Sequence, residues 1–156
     1  MDGEQGGASP VLIRPAAPGE LRAIHELVGE AYRGYISAIG FRAPPMDVDY
    51  GAAVARAEVF VAEDESIVGL IVLVEHAQHL LIENVAVHPR EQGKGIGSAL
   101  LDFAERRAQS KGLPRIRLYT HERMARNLLI YARRGYQHDR KPPGEDSPRV
   151  FLSKEL

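Results

Sequence analysis

The feature that most constrains this chain is an apolar run that leads, through closely spaced glycines, into an amphipathic segment. The run covers residues 80–87 and ends at His88 and Pro89, and glycine then occupies every second position from 93 to 97. Beyond it, apolar residues recur with helical spacing at positions 96, 99, 100, 103 and 104, which predicts a helix that Gly112 ends. A strand, a glycine-rich turn and a helix in this order indicate an α/β architecture.

The rest of the sequence alternates between strand and helix patterns. Adjacent strands early in the chain and a β-α-β-α order later predict a mixed, mostly antiparallel central sheet flanked by helices, of the α+β type. One domain is expected over residues 10–156, because a chain of 156 residues is close to the usual size of a single domain. The polar, glycine-rich residues 1–9 are predicted to form a flexible N-terminal tail.

Composition and charge exclude several functions. The 20 basic and 21 acidic side chains nearly balance, whereas dedicated nucleic-acid binders carry a basic excess. The absence of cysteine excludes disulfides, cysteine-ligated zinc and a cysteinyl-acyl intermediate. No apolar run is long enough to cross a membrane, and the N-terminus lacks the apolar core of a signal peptide. We therefore expect a cytoplasmic protein with no metal, no nucleic acid and no membrane among its partners.

The glycine-rich turn has the properties of an anion site. Glycine lets backbone N–H groups come close to a ligand, and the following helix adds the positive end of its dipole. Arg90 and Lys94 add charge, but Gly95 follows Lys94 where a P-loop requires Ser or Thr. The spacing also departs from the G-x-G-x-x-G of dinucleotide-binding folds. From the residues alone, a phosphate-binding turn and a glycine turn without a ligand both remain open.

Two motifs carry a resemblance to a known family. Residues 92–97 read Gln-Gly-Lys-Gly-Ile-Gly, and residues 127–136 fit the pattern Asn-x-x-x-Tyr-x-x-x-Gly-Tyr. The first resembles motif A of the GNAT N-acetyltransferase superfamily, Gln/Arg-x-x-Gly-x-Gly/Ala, and the second resembles its motif B. The order of predicted elements over residues 11–154 is similar to the order found in that family.

The resemblance implies a GNAT-type fold, with strands that splay apart at the cofactor site and acetyl-CoA as the co-substrate. Its pyrophosphate would bind on the turn at residues 92–98, and its pantetheine arm would pair with the backbone of the preceding strand. The cofactor-binding residues implied are Val85, Ala86, Val87, Arg90, Gln92, Gly93, Lys94, Gly95, Ile96, Gly97, Ser98 and Asn127.

Tyr131 and Glu83 are the catalytic candidates. Tyr131 matches the family tyrosine that protonates the departing thiolate, although its periodicity alone would place it in the core. Glu83 is the only acid in the run 80–87, and strand alternation puts its side chain on the face of Val85. Either Glu83 or an ordered water would take the proton that the acceptor ammonium must lose.

The acceptor-binding candidates are Tyr32, Tyr35 and Met46, in the segment that lines the acceptor pocket in this family. Their composition does not identify the acceptor. We expect Tyr136 in the core and His121 at the surface.

The predicted function is acetyl transfer from acetyl-CoA directly to a primary amine of a small molecule or a protein. The alternatives are a non-catalytic acyl-CoA-binding or sensing module and a transferase that uses a longer acyl-CoA. The predicted partners are acetyl-CoA and an amine acceptor, and a homodimer is left open.

Overall fold

The computed structural model describes residues 11–34 and 44–156. The predicted tail at residues 1–9 and the candidate Tyr35 lie outside these residues. The helices are α1 (Leu21–Ala31), α2 (Tyr50–Ala55), α3 (Ile96–Ser110) and α4 (Ala125–Arg133), with short 3-10 turns at Pro18–Glu20, Pro44–Asp47 and Pro89–Glu91. The strands are β1 (Leu12–Pro15), β2 (Val59–Asp64), β3 (Ser66–Glu75), β4 (His79–Val87), β5 (Arg115–His121), β6 (Gln137–His138) and β7 (Arg149–Glu155). None of the described helices is both long and apolar enough to cross a membrane.

These strands form a mixed sheet in the order β1-β2-β3-β4-β5-β7-β6. The pairs β1–β2, β2–β3, β5–β7 and β6–β7 are antiparallel, and β4–β5 is parallel. The prediction of a mixed, mostly antiparallel sheet flanked by helices is confirmed. The helix predicted after the glycine turn is confirmed as α3, and Gly112 follows its end with a positive φ of 71°.

The chain divides into two compact units. The first contains the described residues up to Leu73 together with Asn84–Ala104, and the second contains Val74–Glu83 and Glu105–Leu156. Strands β3 and β4 and helix α3 each contribute residues to both units.

In the first unit, α1 and α2 pack on the inner residues of β2, β3 and β4. The apolar positions of α1 follow the i, i+3, i+4 spacing, so they lie on one stripe of the helix and are buried. Asp49 caps α2 by accepting a hydrogen bond from Ala52 N–H at 3.0 Å. The buried cluster consists of Ile24, Leu27, Val28, Tyr50, Ala53, Val54, Val59, Val61, Leu70, Val72 and Ala86.

Helix α3 approaches strand β3 closely at Gly69. A Cβ atom at this position would lie 3.2 Å from the Ala86 carbonyl oxygen, from Ile96 Cγ2 and from Leu100 Cδ1. A side chain at residue 69 would therefore push the first turns of α3 away from the sheet. Glycine at residue 69 is what allows this helix to start so near the strands.

In the second unit, one half-buried carboxylate joins three parts of the chain. Glu105 on α3 accepts hydrogen bonds from the Tyr136 hydroxyl at 2.9 Å, from Lys154 Nζ on β7 at 3.1 Å and from Arg134 Nη2 at 3.3 Å. Two cations and one phenol satisfy a carboxylate that would otherwise be costly to bury. Tyr136 is 4% exposed, so the prediction that it belongs to the core is confirmed.

Candidate active site

The turn after β4 has the geometry that its glycines predict. Gly93 and Gly95 have φ angles of +84° and +86°. These are left-handed backbone conformations, which residues other than glycine rarely adopt. The preceding 3-10 turn is held by His88, whose Nδ1 accepts the Arg90 N–H at 3.2 Å. Helix α3 then begins at Ile96. The predicted strand, glycine turn and helix are present in this order.

The start of α3 supplies the donors that an anion requires. The Gly95 carbonyl accepts the first helical hydrogen bond, from Ala99 N–H at 3.0 Å. The N–H groups of Ile96, Gly97 and Ser98 therefore have no carbonyl partner within the helix, and they lie at the positive end of its dipole. If Gly97 had a Cβ atom, its nearest neighbour would be Val87 Cγ2 at 3.9 Å. The space beside Gly97 is therefore not filled by other side chains.

The polar side chains of the turn are already engaged. Lys94 forms an ion pair with Glu91 at 3.3 Å, and its side chain is 53% exposed. Gln92 Nε2 donates to the Val87 carbonyl at 3.3 Å, which ties the turn back to the strand it leaves. The backbone of the turn, together with the exposed Arg90, is thus the main resource for holding a phosphate.

Strand β4 has one edge toward β3 and one edge away from it. His88 N–H donates to the Val68 carbonyl of β3 at 2.8 Å. Because backbone groups alternate between the two edges of a strand, those of Val87 and Val85 face away from β3. The ladder between β4 and β5 covers residues 79–82 and 115–118, so Val85 and Val87 lie beyond it.

A buried hydrogen-bond network lies beside this part of β4. Asn84, 4% exposed, accepts a hydrogen bond from the Tyr32 hydroxyl and donates one from Nδ2 to Tyr50 Oη at 2.9 Å. The Tyr50 hydroxyl donates to the Pro45 carbonyl at 2.7 Å. Tyr32 Oη also lies 3.2 Å from the Val85 carbonyl oxygen, which brings this acceptor candidate to the strand. Asn84 had not been a candidate from the sequence, whereas Tyr50 belongs to the same segment as the acceptor candidates.

Met46, another acceptor candidate, packs on the apolar cluster of the first unit. It lies in the 3-10 turn Pro44–Asp47 and is half-buried.

Tyr131 lies in the second unit, on α4. Its ring is 9% exposed and packs edge-on against Tyr136, with 5.8 Å between the ring centroids. Burial raises the pKa of Tyr131 to about 12, and the nearby positive charge of Arg134 opposes that shift. The hydroxyl therefore remains protonated at any ordinary working pH.

Glu83 and Asn127 also lie in the second unit. Asn127 Nδ2 donates to Thr120 Oγ1 at 3.4 Å, which links α4 to β5. Glu83 is half-buried on β4. Burial raises the pKa of Tyr119, and the negative charge of Glu83 adds to the shift.

The expectation that His121 lies at the surface is wrong. It is 8% exposed, and its Nδ1 accepts a hydrogen bond from Arg123 N–H at 3.0 Å. Because β5 continues through residue 121, its inward side chain is buried and is used to shape the turn before α4.

Comparison with known proteins gives the class of this chain. Residues 55–138, more than half of the sequence, match the acetyltransferase (GNAT) domain family. Over 78 residues the chain is 33% identical to the uncharacterized protein YxbD of Bacillus subtilis, covering 50% of this chain and 48% of that protein. The match thus spans about half the length of this curated relative.

Solved structures give the same fold. The PaiA N-acetyltransferase of Thermoplasma acidophilum, solved with coenzyme A, superposes with a TM-score of 0.82 at 18% identity, covering 95% of this chain and 100% of that one. YncA of Salmonella typhimurium, a putative acetyltransferase solved with acetyl-CoA, gives a TM-score of 0.70 at 21% identity and covers 95% of each chain.

The fold and the glycine turn thus define an acetyltransferase-type α/β protein. With the match over residues 55–138, the chain belongs to the GNAT acetyltransferase family.

Proposed function

We propose that this protein transfers an acetyl group from acetyl-CoA directly to the amine of a small molecule or a protein. The observation that carries the proposal is the turn after β4, where Gly93 and Gly95 adopt left-handed conformations immediately before α3. A pyrophosphate fits such a turn because it accepts several backbone hydrogen bonds at once. Two structural relatives were solved with coenzyme A or acetyl-CoA, which supports the same ligand here.

The residues of the turn have separate roles in this proposal. The backbone from Gln92 to Ser98 binds the pyrophosphate, and Arg90 adds an exposed positive charge. Lys94 contributes less, because Glu91 already neutralises part of its charge. Asn127 contacts the cofactor from the first turn of α4, as the motif B position implies.

The edge of β4 that faces away from β3 takes the pantetheine arm. Val85 and Val87 lie on this edge beyond the ladder with β5, so their N–H groups suit an added extended chain. Their carbonyls already accept hydrogen bonds from Tyr32 and Gln92 respectively. The N–H of Val87 then polarises the thioester carbonyl, which stabilises the charge that develops on its oxygen.

The chemistry is one acyl transfer in a ternary complex. The amine nitrogen attacks the thioester carbonyl carbon, the new C–N bond forms, and the C–S bond breaks to release the thiolate. Glu83 or a water molecule takes the proton that the ammonium loses before it attacks. As the C–S bond breaks, the Tyr131 hydroxyl gives its proton to the thiolate, and the second proton, which the nitrogen loses as the amide forms, returns to the Tyr131 phenolate through water. Since the chain has no cysteine, the acetyl group does not pass through a cysteinyl intermediate.

Melting curves with acetyl-CoA test the cofactor part of the proposal. Acetyl-CoA should raise the melting temperature of the wild type, and Gly97→Asp should abolish the shift because its carboxylate repels the pyrophosphate. Gly97→Ala adds a side chain without a charge, so it shows whether the size or the charge of the aspartate abolishes the shift. Only Val87 Cγ2 lies within 4 Å of the added Cβ. Gly19→Asp adds the same charge at an exposed glycine with no neighbour within 4 Å, and it should behave as the wild type.

The activity itself is tested by release of free thiol from acetyl-CoA in the presence of primary amines. A wild type that shows no thermal shift at millimolar acetyl-CoA contradicts the proposed cofactor. A thermal shift without thiol release, with ethanolamine, phenethylamine, spermidine and a lysine-containing peptide, contradicts the proposed reaction.

A further inference from the structure

Strands β4, β5 and β7 place a carboxylate and two aromatic rings on one face of the sheet. The parallel ladder between β4 and β5 ends at the pair Ile82 and Leu118. Glu83 and Tyr119 are the next residues of their strands, so they lie on the same face because side chains alternate along a strand. Tyr119 is paired in turn with Phe151 of β7, and the centres of their rings are 5.7 Å apart.

The guanidinium of Arg149 lies on this aromatic pair. Its Cζ is 4.4 Å from the centre of the Tyr119 ring and 5.1 Å from that of Phe151. Glu145 holds one edge of the group, because its carboxylate accepts from Arg149 Nε at 3.0 Å and from Nη2 at 2.9 Å. The Ser147 hydroxyl donates to the same carboxylate, whose side chain is only 15% exposed. The guanidinium is therefore held in place before a ligand binds.

Part of this guanidinium is left for a ligand. It has five N–H donors, and Glu145 takes two of them. Burial raises the pKa of Tyr119 and a hydrogen bond from Arg149 opposes the rise, so a third donor is directed at this phenol. Among the described residues no other group accepts from Arg149, and its side chain is 35% exposed. Two of the five donors are thus open to an anion.

The charges on this face are arranged as a dipole. Arg117, whose Cζ lies 5.9 Å from the centre of the Phe151 ring, is already paired with Asp139 at 3.2 Å. Glu83 on β4 has no ion pair within residues 11–34 and 44–156. A carboxylate that can attract an ammonium therefore lies on one strand, and the open edge of a guanidinium lies toward the far side of the next. A forked guanidinium edge is the group that binds a carboxylate best.

We infer that the preferred acceptor is an amine that also carries a carboxylate several carbon atoms away, and that Arg149 binds this carboxylate. The inference rests on the proposed function, in which the ammonium approaches Glu83, and it names the substrate class. Neighbouring strands are about 4.8 Å apart, so one to two strand spacings separate the two groups by about 5–10 Å. The ω-amino acids 4-aminobutyrate and 6-aminohexanoate suit this separation. An α-amino acid, in which both groups share one carbon, is too short.

Pairs of amines that differ only in charge test the inference. 6-Aminohexanoate and 6-aminohexanamide have the same length, and only the first carries a carboxylate. For the wild type, kcat/KM should be about 10-fold higher for the acid, as expected for hydrogen bonds to a charged group. Amines without a carboxylate remain substrates with a lower kcat/KM. Glycine and glycinamide should differ by less than about twofold when rates are expressed per neutral amine, since glycine cannot reach both groups.

Variants of Arg149 identify the source of the preference. Arg149→Gln should bring the acid-to-amide ratio of kcat/KM close to one, with the KM for acetyl-CoA within about twofold of the wild type. Arg149→Lys keeps the charge but not the fork, so it should retain a preference of about 3-fold. A merely structural role would lower kcat/KM for both amines equally and leave the ratio unchanged.

Arg115→Gln is the matched control for these variants. Arg115 is another ion-paired arginine of the second unit, bound to Glu155 at 2.7 Å, and strand alternation puts it on the face of Tyr119. No aromatic ring of the described residues lies under its guanidinium, unlike that of Arg149. Arg115→Gln should keep the acid-to-amide ratio of the wild type.

The outcomes separate this inference from the proposed function. No thiol release by the wild type, with these amines or with the four used above, overturns the function and the inference together. Turnover with equal kcat/KM for the acid and the amide overturns the inference alone, and this comparison does not depend on the folding of any variant. A preference that survives in folded Arg149→Gln, or that Arg115→Gln loses to the same extent, has another source than Arg149 and also overturns the inference.

Discussion

Tyr131 shows how burial changes the role that one side chain can play. A phenol of ordinary pKa, about 10, is already a weaker acid than a cysteine-like thiol of pKa about 8.5. Burial raises the pKa of Tyr131 to about 12 and widens this gap. The same low-dielectric surroundings would raise the pKa of a leaving thiol as well, so the two acids move together. Proton transfer remains feasible only if the thiolate departs into that buried environment.

The substitution Tyr131→Phe tests this role directly. The ring contact with Tyr136 is kept, so acetyl-CoA should still raise the melting temperature. If the hydroxyl protonates the thiolate, kcat should fall about 10²-fold or more, within the range for general acid catalysis. The measurement is kcat at saturating acetyl-CoA and amine.

The pH profile supplies an independent check. Because the pKa of Tyr131 is about 12, ionisation of this phenol should not reduce kcat of the wild type between pH 8 and 10.

A folded Tyr131→Phe protein with wild-type kcat would remove Tyr131 from the mechanism and leave it as a core residue.

At the scale of elements, the position of α3 decides whether the glycine turn can work. The helix starts next to β3 because Gly69 has no side chain, and three atoms lie 3.2 Å from where a Cβ would be. One of them is the Ala86 carbonyl oxygen, which belongs to the backbone and cannot rotate away. Gly69 thus contributes to the cofactor site without being part of it.

We therefore expect Gly69→Ala to destabilise the protein and to weaken acetyl-CoA binding together. Overpacking at such a site costs about 1–3 kcal/mol of unfolding free energy, and the shift of α3 moves the N–H groups of its first turn. Urea unfolding and a titration with acetyl-CoA measure the two effects.

Gly29→Ala is the matched control for this prediction. Gly29 lies in α1 with no atom within 4 Å of an added Cβ, and alanine should stabilise the helix slightly. If Gly69→Ala binds acetyl-CoA with wild-type affinity, the close approach at β3 does not set the geometry of the turn.

For the whole molecule, local patterns predicted the sheet type, α3 and the glycine turn, because each depends on spacing within a short segment. The burial of His121 was missed because it depends on the length of β5 and on the turn that follows. The Tyr32–Asn84–Tyr50 network was missed for a related reason, since it joins residues 34 and 52 positions apart. The role of Gly69 was missed because it depends on the close packing of α3 against β3, which the sequence does not show. The sequence pattern thus indicated where chemistry occurs, and tertiary packing determined which side chains support it.

The stability of the whole molecule should fall at alkaline pH. Burial raises the pKa of Tyr131 to about 12, and burial together with Glu105 raises that of Tyr136 further. In the unfolded chain both phenols have a pKa of about 10, so above this pH the unfolded state loses protons that the folded state retains. The free energy of unfolding then decreases by up to about 1.4 kcal/mol per pH unit for each tyrosine.

Urea unfolding at pH 8, 9.5, 10.5 and 11 measures this dependence. The contribution of the two tyrosines is fully present below pH 10 and is lost as the pH rises toward their folded-state values, so the midpoint should drop mainly between pH 10 and 11. Tyr136→Phe removes one of the two groups, and its midpoint should start lower at pH 8 but fall less steeply. Equal slopes for the wild type and Tyr136→Phe would mean that Tyr136 ionises in the folded protein as easily as in the unfolded chain. The buried bond to Glu105 argues against that result, because ionised Tyr136 would place two negative charges within 2.9 Å of each other.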